Sequence, residues 1–283
     1  MPKIAIVTDT GADLTPVQQT QYGITVVPLI VRFGSETYLD NQLPLDEFWA
    51  KVRQGPPFPG TSQPPTGLYE EAFRSLIAQG NHVLCLCITS KHSGTLNSAY
   101  AAAQSFPGQV TVFDTLSLSL AQAYQAITAS QMAAQGQSLE EIVARLESIR
   151  ARTHFCIALD TIEYLRRGGR ADQIMPVLER VCRVLNIKPL VGIVDGQLKP
   201  LGAARSREKS WRHIIQELSK HLPAEAVIVA HTRLAAEAPG FARTLAEQLD
   251  FPLEQIPIAE TGAILSCHAG PGVMAAGVVQ RSN

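Results

Sequence analysis

HVLCLCITSKHSGTLNSAYAAA, residues 82–103, decides how this chain is built. Residues 83–88 are uninterrupted apolar and β-favouring side chains, bounded by Gly80-Asn81 before and Thr89-Ser90 after. So short a run does not make a buried helix, and a strand covered on both faces needs no polar alternation, so it predicts a central strand of a parallel sheet. The Ala-rich residues 96–104 predict a helix, with Ser93-Gly94-Thr95 in the turn between. Small hydroxyl residues cap helix N-termini, and glycine lets a backbone approach closely. Such a helix start also offers unpaired N–H groups and the positive end of a dipole, which suits a carboxylate or a phosphate. Two uses of the Ser93 loop are therefore open, a plain helix cap or an anion site.

Working outward, the strand-then-helix alternation repeats. Residues 3–7 predict a strand ending at Thr8-Asp9-Thr10-Gly11-Ala12-Asp13, and Thr15-Pro16 has the cap-plus-proline signature of a helix start. Asp9 and Asp13 lack the further oxygen ligands that a hard cation requires, so they are expected to order this loop. Residues 24–31 predict a second strand and 33–40 an irregular extension. Residues 44–54 predict a helix with Phe48, Trp49 and Val52 facing the core. The proline-dense residues 56–65 predict a stiff loop carrying Thr61 and Ser62, and 66–78 the helix leading to the central strand. A strand at 110–113 and helices at 116–135 and 139–152 complete a βαβα half. In such a sheet ligands sit beyond the carboxyl ends of the strands, where the loops of Asp9, Ser93 and Asp114 emerge.

Past residue 153 the pattern changes, and a domain boundary is expected there. Residues 1–153 are expected to form an α/β domain with a mostly parallel sheet covered by helices, and 154–283 an α/β domain with a mixed sheet. A strand at 155–159, a short helix at 161–167 and a helix at 174–185 come first. Residues 187–194 and 197–204 flank Asp195-Gly196, a dipeptide suited to a two-residue hairpin turn. Helices at 206–221 and 236–249 and strands at 226–231 and 253–258 follow, before a closing loop around His268-Ala269-Gly270-Pro271-Gly272.

Composition narrows the function. With 283 residues, an apolar fraction of 46% supplies the burial for one large or two smaller α/β domains. A formal charge of −1 with 17% charged residues lacks the basic excess that neutralises a nucleic-acid backbone, so small molecules or proteins are the expected partners. Cys85, Cys87, Cys156, Cys182 and Cys267 contain no C-x-x-C pair and sit mostly in apolar runs, as reduced core residues do. No stretch has the length of a secretory core or a membrane span, and a cytoplasmic location is expected.

The chemistry is then sorted by elimination. G-x-x-x-x-G-K-S/T, G-x-G-x-x-G and the kinase motifs are missing, so a phosphoryl donor has to come from elsewhere. His82, His154, His213, His221 and His231 are scattered without zinc spacing and read as structural or surface residues; no metal and no organic cofactor is expected. His92 abuts Ser93, and His268 lies among Gly and Pro, so a Ser-His esterase is an alternative reading, although Lys91 stands where a G-x-S-x-G elbow needs glycine. Arg166 and Arg167 suit a helix C-terminus closed by glycine, whereas Arg170 lies beyond that cap and is open to an anion or partner role. Lys188, Arg205 and Arg207 read by themselves as surface charges. A structural or regulatory module is the third reading.

Taken in order, Thr8-Asp9-Thr10, Gly60-Thr61-Ser62-Gln63-Pro64, SKHSGTLNSA at 90–99, YLRRGGR at 164–170, Asn186-Ile187-Lys188-Pro189 and His268-Ala269-Gly270-Pro271-Gly272 resemble the DegV family over nearly the whole chain. The resemblance implies a two-domain α/β protein that holds a long-chain fatty acid between its domains. It further implies the fatty-acid-binding subunit of a bacterial fatty acid kinase, not itself the enzyme. A separate kinase subunit with the ATP site would phosphorylate the bound carboxylate to an acyl phosphate that feeds phospholipid synthesis; transient membrane contact fits this role. By position, Thr61, Ser93 and His268 correspond to residues around the carboxylate, with Ser62 and Gly94 adjacent. Arg170 corresponds to an arginine near the head-group end, and Arg205 is set beside it for phosphoryl transfer or partner docking. His92 stands where a leucine is usual, and Gly60 and Pro65 differ from the commoner residues.

Overall fold

β1 (Ile4–Asp9), α1 (Pro16–Tyr22), β2 (Thr25–Val27), β3 (Ile30–Phe33), β4 (Glu36–Leu39), α2 (Leu45–Arg53) and β5 (Pro59–Ser62) open the chain. They are followed by α3 (Thr66–Ile77), β6 (His82–Cys87), α4 (Thr95–Ala103), β7 (Val110–Asp114), α5 (Ser119–Ala134) and α6 (Leu139–Ala151). The computed structural model describes residues 3–182 and 187–282. Its backbone divides into two units, Met1–Arg150 with Gly262–Ile264, and Ala151–Thr261 with Leu265–Asn283.

In the first unit, β2-β1-β6-β7 form a sheet in which every pair is parallel. Val83 to Cys87 of β6 are each 0% exposed, which is why the run carries no polar alternation. Val7, Cys85 and Cys87 pack with Tyr69 and Phe73 of α3 and with Ala99 and Ala102 of α4. At the carboxyl end, Thr8 donates its hydroxyl to the Leu86 carbonyl at 2.8 Å, and Cys87 pairs with Asp114. The ends of β1, β6 and β7 therefore lie side by side.

Three sequence expectations are corrected here. Residues 24–31 are not one strand: Pro28, with no N–H to give a ladder, separates β2 from β3, and β3 joins a second, antiparallel sheet of order β4-β3-β5. Residues 33–40 are not irregular, because Gly34, at φ +59°, turns the chain back into β4. Residues 59–62, expected within a stiff loop, form β5; a strand at the edge of its sheet tolerates a proline at its start.

The second unit comprises β8 (Thr153–Ala158), α7 (Glu163–Gly168), α8 (Met175–Cys182), β9 (Lys188–Val194), β10 (Gln197–Ala204), α9 (Arg207–Leu218) and β11 (Ala224–His231), then α10 (Ala238–Leu249), β12 (Ile258–Glu260), α11 (Ala263–Ala269) and β13 (Met274–Gln280). Its sheet has the order β10-β9-β8-β13-β11-β12, antiparallel throughout except for the parallel pair β11 and β12. Asp195 and Gly196 turn the β9–β10 hairpin with φ of +49° and +76°, the left-handed pair that a type I′ turn requires. Phe241, Leu245 and Leu249 of α10 and Ile214 and Leu218 of α9 pack on Val227, Val229, Ala276 and Val278. Residues 183–185 of the expected 174–185 helix, and Asn186 of the Asn186-Ile187-Lys188-Pro189 segment, lie outside the described residues.

The strand expected at 253–258 is corrected: Leu253–Gln255 form a 3-10 turn, and β12 begins only at Ile258 and runs to Glu260. The closing loop is also corrected, because His268 sits in α11. β13 (MAAGVVQ) is rich in small residues with little strand preference, yet it is paired on both sides. At Gly277 a Cβ would lie 2.6 Å from the Phe155 ring, so packing selects the missing side chain. Among the described residues no helix is long and apolar enough to cross a membrane.

Candidate functional site

Two carboxylates hold the loop between β6 and α4. Asp9 accepts hydrogen bonds from the amides of Gly11 at 2.9 Å and Ile88 at 2.8 Å. It therefore orders its own loop, as expected, and also the chain leaving β6. Burial pushes its carboxyl up to about 6, against the opposing pull of the Ile88 amide, Gln122 and the Gly11 amide. From the other side Asp114 accepts from Leu116 at 2.9 Å and from Ser90 at 3.3 Å, while the Thr89 amide donates to the Ser117 carbonyl at 2.9 Å.

Ser93 stands at the end of this braced loop, half-buried. Its Oγ lies 2.7 Å from Thr95 Oγ1 and accepts from the Thr95 amide at 3.2 Å. These are its only hydrogen bonds among the described residues, and no imidazole is part of them. Gly94 is the N-cap of α4 and has no side chain to occupy the first-turn amides. Of the first-turn amides, that of Thr95 is taken by Ser93 Oγ, and the positive end of the helix dipole lies beside that hydroxyl, a setting that favours an anion.

Gln63 brings the β5 segment to this place. Its Nε2 donates to Ser98 Oγ of α4 at 3.0 Å, and a Cβ on Gly94 would lie 1.7 Å from its Oε1. Gln63 thus ties the end of β5, where Thr61 and Ser62 stand half-buried, to the start of α4 within the first unit. Gln63 was legible in the sequence only as part of a motif; that it couples β5 to α4 comes from β5 being a strand.

The second unit collects another group. Arg170 turns back on α7 and donates from Nη1 to the Gly168 carbonyl at 2.9 Å, past Gly169 at φ +62°. Arg170 thus takes part in the helix cap that its position in sequence placed out of reach; Nη2 has no hydrogen bond among the described residues. Arg166 donates to both carboxylate oxygens of Glu163 at 2.6 Å, and Arg167 lies 3.6 Å from Glu163, whereas no carboxylate among the described residues pairs with Arg170. His268 packs on the same glycine: a Cβ on Gly168 would lie 2.2 Å from its Nδ1. Gly270, at φ +74°, sits against the Tyr164 ring, and Gly272, at φ +78°, against Asp160, which Lys188 meets at 2.8 Å and Arg207 at 3.4 Å. The YLRRGGR, Lys188 and His268–Gly272 segments therefore converge. Arg205 is exposed, between β10 and α9, with no ion pair among the described residues.

No group of three or more His, Cys, Asp or Glu side chains among the described residues is placed to hold a metal ion. The cysteines are free thiols; in the Cys85–Cys87 pair, 3.8 Å apart, the hydrogen bond of the Cys87 thiol with Cys85 and burial hold that thiol well above its ordinary range, so it is inert.

Comparison with known proteins gives a consistent result. A sequence model described as "Uncharacterised protein, DegV family" matches residues 3–281. A DegV domain-containing protein of Deinococcus radiodurans is 34% identical over 276 residues, 96% of each chain. A DegV family protein from Thermus thermophilus, whose structure is described by its fatty acid binding, superposes with a TM-score of 0.88 at 31% identity, covering 99% of this chain and 100% of its own. A stearic acid-binding protein from Eubacterium ventriosum gives 0.88 at 28% identity, covering 99% and 98%.

Proposed function

The chain belongs to the DegV family, and from that premise we propose that it binds a long-chain fatty acid and presents the carboxylate to a separate kinase subunit. That subunit, which brings the ATP site, forms an acyl phosphate that feeds phospholipid synthesis. The observation that carries the binding proposal is the fatty acid described for the Thermus thermophilus and Eubacterium ventriosum proteins, each aligned over 99% of this chain.

The chemistry of the first unit supports it. The Thr61, Ser62 and Ser93 hydroxyls and the start of α4 at Gly94 are assigned to the carboxylate. At about 0.8 kcal/mol per buried methylene, some fourteen methylenes contribute roughly 11 kcal/mol before ordering costs, whereas one charge-assisted hydrogen bond contributes about 1.5–3 kcal/mol. The tail supplies affinity, and the Ser93 loop offsets desolvation and fixes the carboxylate's orientation. Arg170, whose Nη2 is uncommitted, and the exposed Arg205 are assigned to phosphoryl transfer or to docking the kinase subunit. An esterase needs a base on Ser93, and no imidazole among the described residues hydrogen-bonds its hydroxyl.

Native mass spectrometry of the purified protein tests the proposal directly. A long-chain fatty acid retained at about one per chain is expected; protein that neither retains nor takes up palmitate or oleate overturns it.

A further inference from the structure

Asp13 and Asp40 both reach the segment Gly262–Ile264, far away in sequence but part of the same unit. Asp13 Oδ1 accepts from the Gly262 amide at 2.8 Å, and its Oδ2 accepts from the Ser119 hydroxyl at 2.6 Å. Asp40 accepts from the Ile264 amide and from the Thr10 hydroxyl. Gly262 lies between the two carboxyls: a Cβ there would be 3.4 Å from Asp13 Oδ1 and 3.7 Å from Asp40 Oδ2. The charged neighbours of this pair are each other and Asp9 of β1. α5 contributes the neutral Ser119 and Gln122, Tyr69 of α3 and Cys87 of β6 stand beyond Asp9, and no Lys, Arg or His among the described residues pairs with any of the three acids. Three carboxyls so placed have neither a counter-ion nor full hydration.

We infer that Asp13 and Asp40 form a proton-responsive clasp on residues 262–264, closed most firmly when the carboxyls carry protons and loosened as they ionise. The hydrogen bonds permit this. A protonated Asp13 takes its proton from solvent and donates it from Oδ2 to Ser119 Oγ, whose hydroxyl rotates, while Oδ1 continues to accept from Gly262. Ionisation keeps the acceptors but places like charges together under low hydration. Burial raises Asp13 to about 7 and Asp40 to about 6, and the neighbouring acids push the same way, against the pull of Ser119 and Gly262 on Asp13 and of Thr10 and Ile264 on Asp40. Each group's closed-state pKa thus lies above its ordinary 3.8, so the closing free energy is complete below 3.8 and is lost as pH rises toward the closed-state value. Linkage for Asp13 alone, with opening returning it to its ordinary value, makes the opening equilibrium rise roughly fiftyfold between pH 5 and pH 7. What opens is the start of α11, the helix that carries His268.

Amide hydrogen exchange on the full chain, corrected for intrinsic rates, reads this directly. Protection at Gly262 and Ile264 is expected to fall at least tenfold from pH 5 to pH 7 while the amides of β6 change little, and Asp13→Asn, which mimics the neutral acid, is expected to shrink that fall. A wild-type change below tenfold, an equal change in β6, or an unaltered fall in the variant overturns the clasp. Should Asp13→Asn not fold, the wild-type profile together with Asp40→Asn decides the matter.

Discussion

Replacing Ser93 by alanine separates the two uses of its hydroxyl. In the structure Ser93 Oγ accepts the Thr95 amide at 3.2 Å and pairs with the Thr95 hydroxyl at 2.7 Å, and Thr95 is 0% exposed. Losing the acceptor of the Thr95 amide and leaving a buried hydroxyl short of a partner costs about 1–3 kcal/mol of stability. If the same hydroxyl donates to a fatty-acid carboxylate, a charge-assisted bond of about 1.5–3 kcal/mol is lost as well, and affinity falls roughly ten- to a hundredfold. The two losses are resolved by a second variant, Thr95→Val, which removes the hydroxyl pair but leaves Ser93 in place. Thermal unfolding should show both variants destabilised, and calorimetric titration of delipidated protein with palmitate should show only Ser93→Ala weakened beyond tenfold. Equal weakening in both would mean that Ser93 acts on the ligand only by shaping the helix start. Wild-type turnover of a long-chain ester that vanishes in Ser93→Ala would remove the carrier reading altogether.

Gly94→Ala puts a methyl 1.7 Å from Gln63 Oε1, so Gln63 swings away and its 3.0 Å bond to Ser98 is lost. Because Gln63 is an exposed, flexible side chain, unfolding should register about 0.5–1.5 kcal/mol, while palmitate affinity drops severalfold as β5 loosens from α4; unchanged affinity would dissociate Gln63 from the site. Arg170→Ala should leave fatty-acid affinity within a few fold and lower acyl phosphate formation with a kinase subunit at least tenfold. Parallel losses in the two assays would make Arg170 a folding residue through its bond to Gly168.

Where side-chain pattern and burial coincide, the chain could be read directly. VLCLC at 83–87 announces a two-sided strand and is one, and Asp195-Gly196 announces its turn, because both depend on neighbouring residues only. What escaped was decided at long range. β5 is a strand because β3 lies beside it to accept its pairing, and β13 because Phe155 and its sheet neighbours leave room for Ala275, Ala276 and Gly277. The Ser93 loop was legible as a helix start next to a strand end, yet the coupling of Gln63 to Gly94 and the reach of Asp13 to Gly262 span separations that no local signal records.

The position of β13 has a bearing on how the molecule comes into being. It lies in the middle of its sheet, between β8 and β11, although every other strand of that sheet precedes it in the chain. A ribosome that has emitted β8 to β12 has released two ribbons, β10-β9-β8 and β11-β12, with no ladder joining them. Each presents the open edge that β13 will later fill, and open edges are where nascent chains pair wrongly with one another. The first unit waits too, since Gly262–Ile264 is synthesised after most of the second. For this chain, synthesis from the N-terminus does not translate into folding one unit at a time, and the interval before residue 274 emerges is when a holding chaperone has most to cover.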